Sequence, residues 1–240
     1  MVDLTRRTQG LISPEWALAR PDNKAVIMER RPRARLLIAD DHVLLAQACK
    51  SLLEPEFEVV AIVNNGRALL EVASELKPNV VIVDIAMPQL NGLDAGEQLK
   101  RANPAIKLVY LTMNAEADVA AEAFRRGASG YVVKDSAAEE LITAIRHALK
   151  GESYLSPSIT RDTVELLLKK DKSSQAEKRV TARQAEVLQL LAEGRSMKEI
   201  ASLLNIKPGT IAFHKYKIME SLGLRTNTEL LRYAMKHHII

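Results

Sequence analysis

One cysteine in 240 residues, Cys49, leaves the chain unable to form an internal disulfide, so a reducing cytosol is the simplest compartment. No stretch approaches the ~20 apolar residues that span a bilayer. Residues 1–33 carry arginine, proline and charged groups throughout and lack the apolar centre of a signal peptide. Disulfide-framed secreted domains and helical membrane proteins are thereby excluded, and a cytoplasmic protein is expected. No internal repeat is present, which excludes a solenoid. Aromatic residues are scarce at 4%, while hydrophobic residues make up 47%, ample for two mainly aliphatic cores.

Charge is unevenly placed. Residues 34–154 hold 12 basic against 17 acidic side chains, and residues 176–240 hold 11 against 6. An acidic domain followed by a basic one suggests a cation site first and a polyanion partner second.

From Arg35 to Lys150 the pattern alternates five times between a short apolar run and an amphipathic helix. The runs lie near 36–39, 59–63, 80–83, 107–111 and 130–133. They are apolar without polar alternation, as strands covered on both faces must be. A five-stranded, parallel, doubly wound α/β domain follows, over 34–155. Asp40 and Asp41, Asp84, Thr112 and Lys134 each stand just after or at the end of such a run. Parallel strands share one C-terminal edge, so these groups converge on one pocket.

Three close carboxylates stay ionised together only around a hard cation, and Mg²⁺ takes oxygen ligands while keeping several waters. A carboxylate beside Mg²⁺, with a hydroxyl and an ammonium opposite, is arranged to accept a phosphoryl group. Asp84 is the expected phosphoacceptor, with Lys134 neutralising charge and Thr112 donating a hydrogen bond.

Asp40-Asp41-His42, Asp84 with Met87-Pro88 and Asn91-Gly92, Leu111-Thr112-Met113, and Gly130-Tyr131 with Lys134-Asp135 together resemble the receiver domain of two-component response regulators. The resemblance implies a histidine kinase as phosphoryl donor. It also implies Asp41 as direct metal ligand, Asp40 acting through water, and the Ala86 carbonyl completing the protein's share of the metal shell. Tyr131 is then the aromatic that turns inward on phosphorylation, reshaping the surface from the fourth to the fifth helix.

Residues 156–177 read as a linker containing a short helix, with a flexible run over 169–178. From 178 to 240 the chain is helical, with four helices near 182–193, 197–203, 208–221 and 226–237. Thr181 with Gln184, and Ser196 with Glu199, have capping-box spacing; Gly194 and Gly223 sit where helices should stop. The second and third helices, joined by Asn205, Ile206 and Lys207, form a helix-turn-helix. Glu186-Val187-Leu188, Leu191-Ala192-Glu193-Gly194, Lys198-Glu199-Ile200-Ala201, Thr210-Ile211, His214, Leu222-Gly223 and Thr228-Glu229-Leu230 resemble the DNA-binding domain of NarL/FixJ (LuxR-type) regulators.

That resemblance implies double-stranded DNA as partner and a homodimer on it. On a 3.6-residue period Ile211, Ile218 and Leu222 share the buried face, which turns Ala212, Phe213 and Tyr216 outward between Lys215 and Lys217. Lys207, Thr210 and these five are the expected DNA-contacting set, with Arg225 adding to the basic cluster. Departures from the family at four positions affect the target sequence: Lys207 stands where serine is usual, Met197 replaces asparagine, and Ala212 and Phe213 replace polar residues.

Residues 1–33 match no element of the family and are expected to be disordered and dispensable, with Met28 an alternative start. Rival readings exist. A phosphoaspartyl hydrolase would need a second Asp two residues after the nucleophile, and Ala86 is there instead, so at most slow autodephosphorylation is expected. A constitutive DNA-binding protein with a vestigial receiver, or a helical bundle for protein contacts, is the alternative outside enzymes.

Overall fold

In a computed structural model, residues 32–113, 115–159 and 180–240 are described. Most of the N-terminal extension and the segment 160–179, with the expected short linker helix and the whole of the flexible run, lie outside them. Five strands appear where the apolar runs predict: β1 Arg35–Ala39, β2 Glu58–Val63, β3 Val80–Val83, β4 Lys107–Thr112 and β5 Gly130–Val133. Helices α1 Val43–Leu53, α2 Gly66–Leu76, α3 Gly92–Ala102, α4 Ala117–Arg125 and α5 Ala137–Lys150 connect or follow them.

The sheet has one strand more than expected. Tyr154–Leu155 forms β6, parallel to β5 and in register Gly130 to Tyr154 and Tyr131 to Leu155, giving the order β2-β1-β3-β4-β5-β6. The packed region also runs past the expected end at 155. Ser156 is fully buried, and Ile159, at the end of the 3₁₀ turn Pro157–Ile159, joins the core. Ser156 donates its N–H to the Tyr131 carbonyl (2.9 Å), and its Oγ accepts from the Val133 N–H (3.0 Å). A hydroxyl with its own backbone N–H matches two β5 groups, which is why the chain stays on the sheet here.

Successive strand residues alternate between the two faces. Leu37, Val81, Leu108, Tyr110 and Tyr131 pack with Leu69, Leu99 and Val119 from α2, α3 and α4. Leu36, Ile38, Val80, Ile82, Val109 and Val132 pack with Leu53, Leu141 and Ile145 from α1 and α5. Burying each such aliphatic side chain is worth about 1.5–3 kcal/mol. The strand order reverses between β1 and β3, and at that switch point Asp40 and Asp84 emerge side by side.

The C-terminal helices are α6 Ala182–Ala192, α7 Met197–Leu203, α8 Pro208–Leu222 and α9 Asn227–Lys236. Both capping boxes form reciprocally, Thr181 with Gln184 and Ser196 with Glu199. Gly194 (φ 81°) and Gly223 (φ 67°) take the left-handed conformation that ends α6 and α8. Lys207 makes no side-chain cap, and Pro208 at the first turn of α8 needs none for its missing N–H. Val187, Leu188, Leu190, Ile200, Ile211 and Ile218 form the core of this bundle. Thr181→Ala and Ser196→Ala should each cost about 1 kcal/mol, seen as roughly fivefold faster amide exchange across α6 or α7 in the full chain.

No helix among the described residues is long and apolar enough to cross a membrane. Cys49 packs within α1, and burial pushes its thiol up to about 11, so it is an unreactive core residue.

Candidate phosphoacceptor pocket and recognition helix

The residues that end β1, β3 and β5 meet as the sequence predicts. Asp84 and Asp40 are almost fully buried, and the Lys134 Nζ lies 2.7 Å from Asp84 Oδ2 and 2.9 Å from Asp40 Oδ2. Asp40 Oδ1 accepts the His42 N–H at 2.8 Å, and Asp84 Oδ1 accepts the Ala86 N–H at 3.2 Å. Asp41 faces solvent beside them. Thr112, the last residue of β4, is buried, and Lys134 opens a one-turn 3₁₀ helix that aims its stem back over the sheet edge.

Electrostatics show a pocket short of positive charge. Burial pushes the Asp84 carboxyl above the usual carboxylate range, against the hydrogen bond and charge of Lys134, while Asp40 adds repulsion. Burial works to lower Lys134, but its hydrogen bonds to Asp84 and Asp40 and their negative charges together outweigh it and hold the ammonium above its ordinary range. One ammonium thus serves two buried carboxylates, and a third stands beside them. Carboxylate oxygens of Asp40, Asp41 and Asp84 and a ring nitrogen of His42 all lie within 4.8 Å of one another. The three carboxylates of this cluster, under-compensated by protein charge, fit a hard divalent cation.

His42 is a site neighbour that sequence reasoning did not assign a role. Its Nδ1 lies 3.1 Å from Asp41 Oδ1, 3.3 Å from Asp40 Oδ1 and 3.9 Å from Asp84 Oδ2. The available signal was adjacency: it directly follows Asp41 and precedes the first residue of α1. Tyr131 is fully buried in the receiver core, so the ring expected to turn inward is already inside.

In the second site, α8 presents the predicted faces. Ile211 and Ile218 are buried, Leu222 and His214 are half-buried, and Lys207, Thr210, Ala212, Phe213 and Tyr216 are exposed. Lys215 and Lys217 flank them, half-buried. Lys217 Nζ donates to Glu220 Oε2 at 2.6 Å and sits 5.6 Å from the Tyr216 ring centre. Part of its charge is therefore answered within the helix.

The domains also touch, which the sequence did not suggest. Gln189 of α6 donates from Nε2 to the Met87 carbonyl (2.8 Å) and accepts the Asn91 N–H on Oε1 (2.6 Å). Glu193 Oε1 accepts the Gln89 N–H at 2.8 Å. Arg67 of α2 lies 3.6 Å from Glu186, and His238 lies 3.2 Å from Glu116.

Residues 36–146 match the family model of the response regulator receiver domain, and residues 178–234 match that of bacterial regulatory proteins of the luxR family. The chain is 32% identical over 215 residues to the transcriptional regulatory protein MctR of Rhizobium johnstonii, covering 89% of this chain and 98% of MctR. A structure of the Salmonella typhimurium response regulator RcsB is similar over 86% of this chain and 98% of its own, with 27% identity and a TM-score of 0.56. Another RcsB structure, two dimers bound to two parallel DNAs, covers 85% of this chain and 98% of its own at 28% identity and a TM-score of 0.52. With a receiver pocket at the switch point of a parallel sheet and a helix-turn-helix behind it, the chain belongs to the two-component response regulators of the NarL/FixJ (LuxR-type) family.

Proposed function

We propose that Asp84 accepts a phosphoryl group from a histidine kinase and that this controls DNA binding by the C-terminal domain of a cytoplasmic transcription regulator. The observation that carries the reading is Lys134, bridging two buried carboxylates at 2.7 and 2.9 Å. A carboxylate oxygen of Asp84 forms the new bond to phosphorus as the bond to the donor's nitrogen breaks, its electron pair leaving with the imidazole. Lys134 neutralises the arriving oxygens and Thr112 donates a hydrogen bond to one of them. Asp41, Asp84 and the Ala86 carbonyl would hold Mg²⁺, with Asp40 acting through water. When bound, the ion supplies charge neutralisation on the phosphoryl oxygens. Ala86 offers no acid or base two residues after the phosphoacceptor, so hydrolysis of the product is slow and the chain is not a turnover enzyme. Acetyl phosphate with and without Mg²⁺, followed by mass spectrometry of the intact protein, tests the reading; Mg²⁺-independent labelling would count against it.

On DNA, α8 lies in the major groove of each half of a two-fold site, with the protein as a homodimer. Ala212 and Phe213 cannot make bidentate hydrogen bonds to guanine but can contact thymine methyl groups, so A·T-rich positions are expected beneath them. Lys217→Ala should weaken binding to all sequences and flatten its salt dependence. The effect is expected to be modest, because Lys217 must first leave Glu220. Phe213→Ala should instead change the selected bases, at about 1–3 kcal/mol per lost base contact. Binding-site selection on both variants checks the assignment of faces. An unchanged motif for Phe213→Ala with an altered one for Lys217→Ala would reverse it.

A further inference from the structure

We propose that Gln189, a residue of the DNA-binding domain, is a positioning residue for the phosphoacceptor loop, and that it holds this loop in the geometry of unmodified Asp84. The proposal rests on Asp84 as phosphoacceptor.

Residues 85–91 connect β3 to α3 and lie between two anchors. On the pocket side the Ala86 N–H points to Asp84 Oδ1. On the other side the Met87 carbonyl and the Gln89 and Asn91 N–H groups point away from the receiver. Gln189 takes the first and third of these with the two ends of one carboxamide, and Glu193 takes the second. Glu193 Oε1 also accepts from Gln189 Nε2 at 3.0 Å, which fixes which end of the amide faces which backbone group. Gln189 is 2% exposed, so these bonds are made away from water and their loss leaves backbone groups unpaired. Gln89 has φ 70°, a left-handed conformation uncommon for glutamine, and its N–H is the one Glu193 receives.

The contact is polar. No buried hydrophobic cluster among the described residues contains side chains from both domains. Such contacts form and release without the cost of exposing a core. Nor does the contact cover the DNA-reading face, since Phe213 and Tyr216 remain 58% and 61% exposed. Its effect is therefore on the loop and on domain orientation, not on access to α8.

A phosphoryl group carried on Asp84 Oδ1 turns the oxygen that the Ala86 N–H meets into the bridging oxygen of an acyl phosphate, a weaker acceptor, while Oδ2 keeps Lys134. The Ala86 N–H is then re-aimed, and the next five residues move with it. A planar carboxamide pinned at two points cannot follow both. Phosphorylation thus loosens α6, and by thermodynamic linkage a docked α6 opposes phosphorylation.

The test uses the full chain as wild type, Gln189→Leu and Gln189→Glu. Leucine removes both bonds; glutamate keeps an acceptor for Asn91 but sets oxygen against the Met87 carbonyl. Both variants should be labelled by acetyl phosphate about tenfold faster than wild type, within the usual range of coupling between sites. Without any donor, both should exchange the Gln89 amide faster, and Gln189→Leu the Asn91 amide as well. The exchange arm reads the clamp even if Asp84 takes no phosphate, whereas absence of labelling in wild type would count against the phosphoacceptor reading alone. Unchanged exchange at Gln89 in both variants, or labelling rates equal to or below wild type, would overturn the proposal.

Discussion

Asp84→Asn should take up no phosphate from acetyl phosphate under conditions that label the wild type, a loss expected to exceed 100-fold. The carboxamide is nearly the same size and can still accept from Ala86, so the fold is retained, but its oxygen is too weak a nucleophile to displace a leaving group from phosphorus. The substitution also removes one of two buried negative charges facing Lys134, leaving Asp40 as its single buried carboxylate partner at 2.9 Å. Unfolding midpoints should therefore stay equal or rise slightly, which separates lost chemistry from lost structure. Intact-protein mass spectrometry reads the first and thermal unfolding the second. Equal labelling of both proteins would mean that another residue is the acceptor.

The largest structural effect is expected at Gly92. A Cβ there would stand 2.0 Å from the Asp84 carbonyl oxygen, 2.9 Å from its carbon and 2.8 Å from Val83 Cγ1. These atoms are the backbone of Asp84 and the fully buried side chain of a core strand, so neither can step aside cheaply. Gly92→Ala should destabilise the receiver by about 3 kcal/mol, lowering its melting temperature by roughly 6–12 °C. The protein that remains folded should be labelled poorly, because relief of the clash moves Asp84 itself. Gly209→Ala provides the contrast: nothing lies within 4 Å of the added Cβ, and the position is helical, so stability should be unchanged or higher by up to about 1 kcal/mol. Similar losses at both positions would mean that the close approach at Gly92 is not what limits stability.

Much of this was legible in sequence because the informative signals were local or periodic. Strand ends carrying Asp84 and Lys134 followed uninterrupted apolar runs, and both capping boxes depend on residues three apart. The faces of α8 followed from a 3.6-residue period, and burial agrees at Ile211, Ile218, Phe213 and Tyr216. What escaped depends on pairing across long separations. Strand β6 is two residues long, and Tyr154–Leu155 has no pattern of its own; its position comes from the β5 backbone and from Ser156. Glu186, Gln189 and Glu193 lie along one polar stripe of α6 and its C-terminal cap, and amphipathicity alone cannot distinguish a stripe facing water from one facing another domain's backbone. Tyr131 was expected to turn inward on phosphorylation, and only packing shows that its ring is already inside.

The short sixth strand also decides where the DNA-binding domain is tethered. Because β6 runs parallel to β5, the chain leaves the sheet at the edge where Asp84 and Lys134 emerge. The 20 residues from 160 to 179 can span at most about 70 Å. A domain held on so short a leash stays near the pocket at an effective concentration of the order of millimolar. Hydrogen bonds too few to join two separate molecules can then suffice within one chain. The contact is insensitive to dilution, and lengthening or cutting the tether would weaken it without altering a single contacting residue.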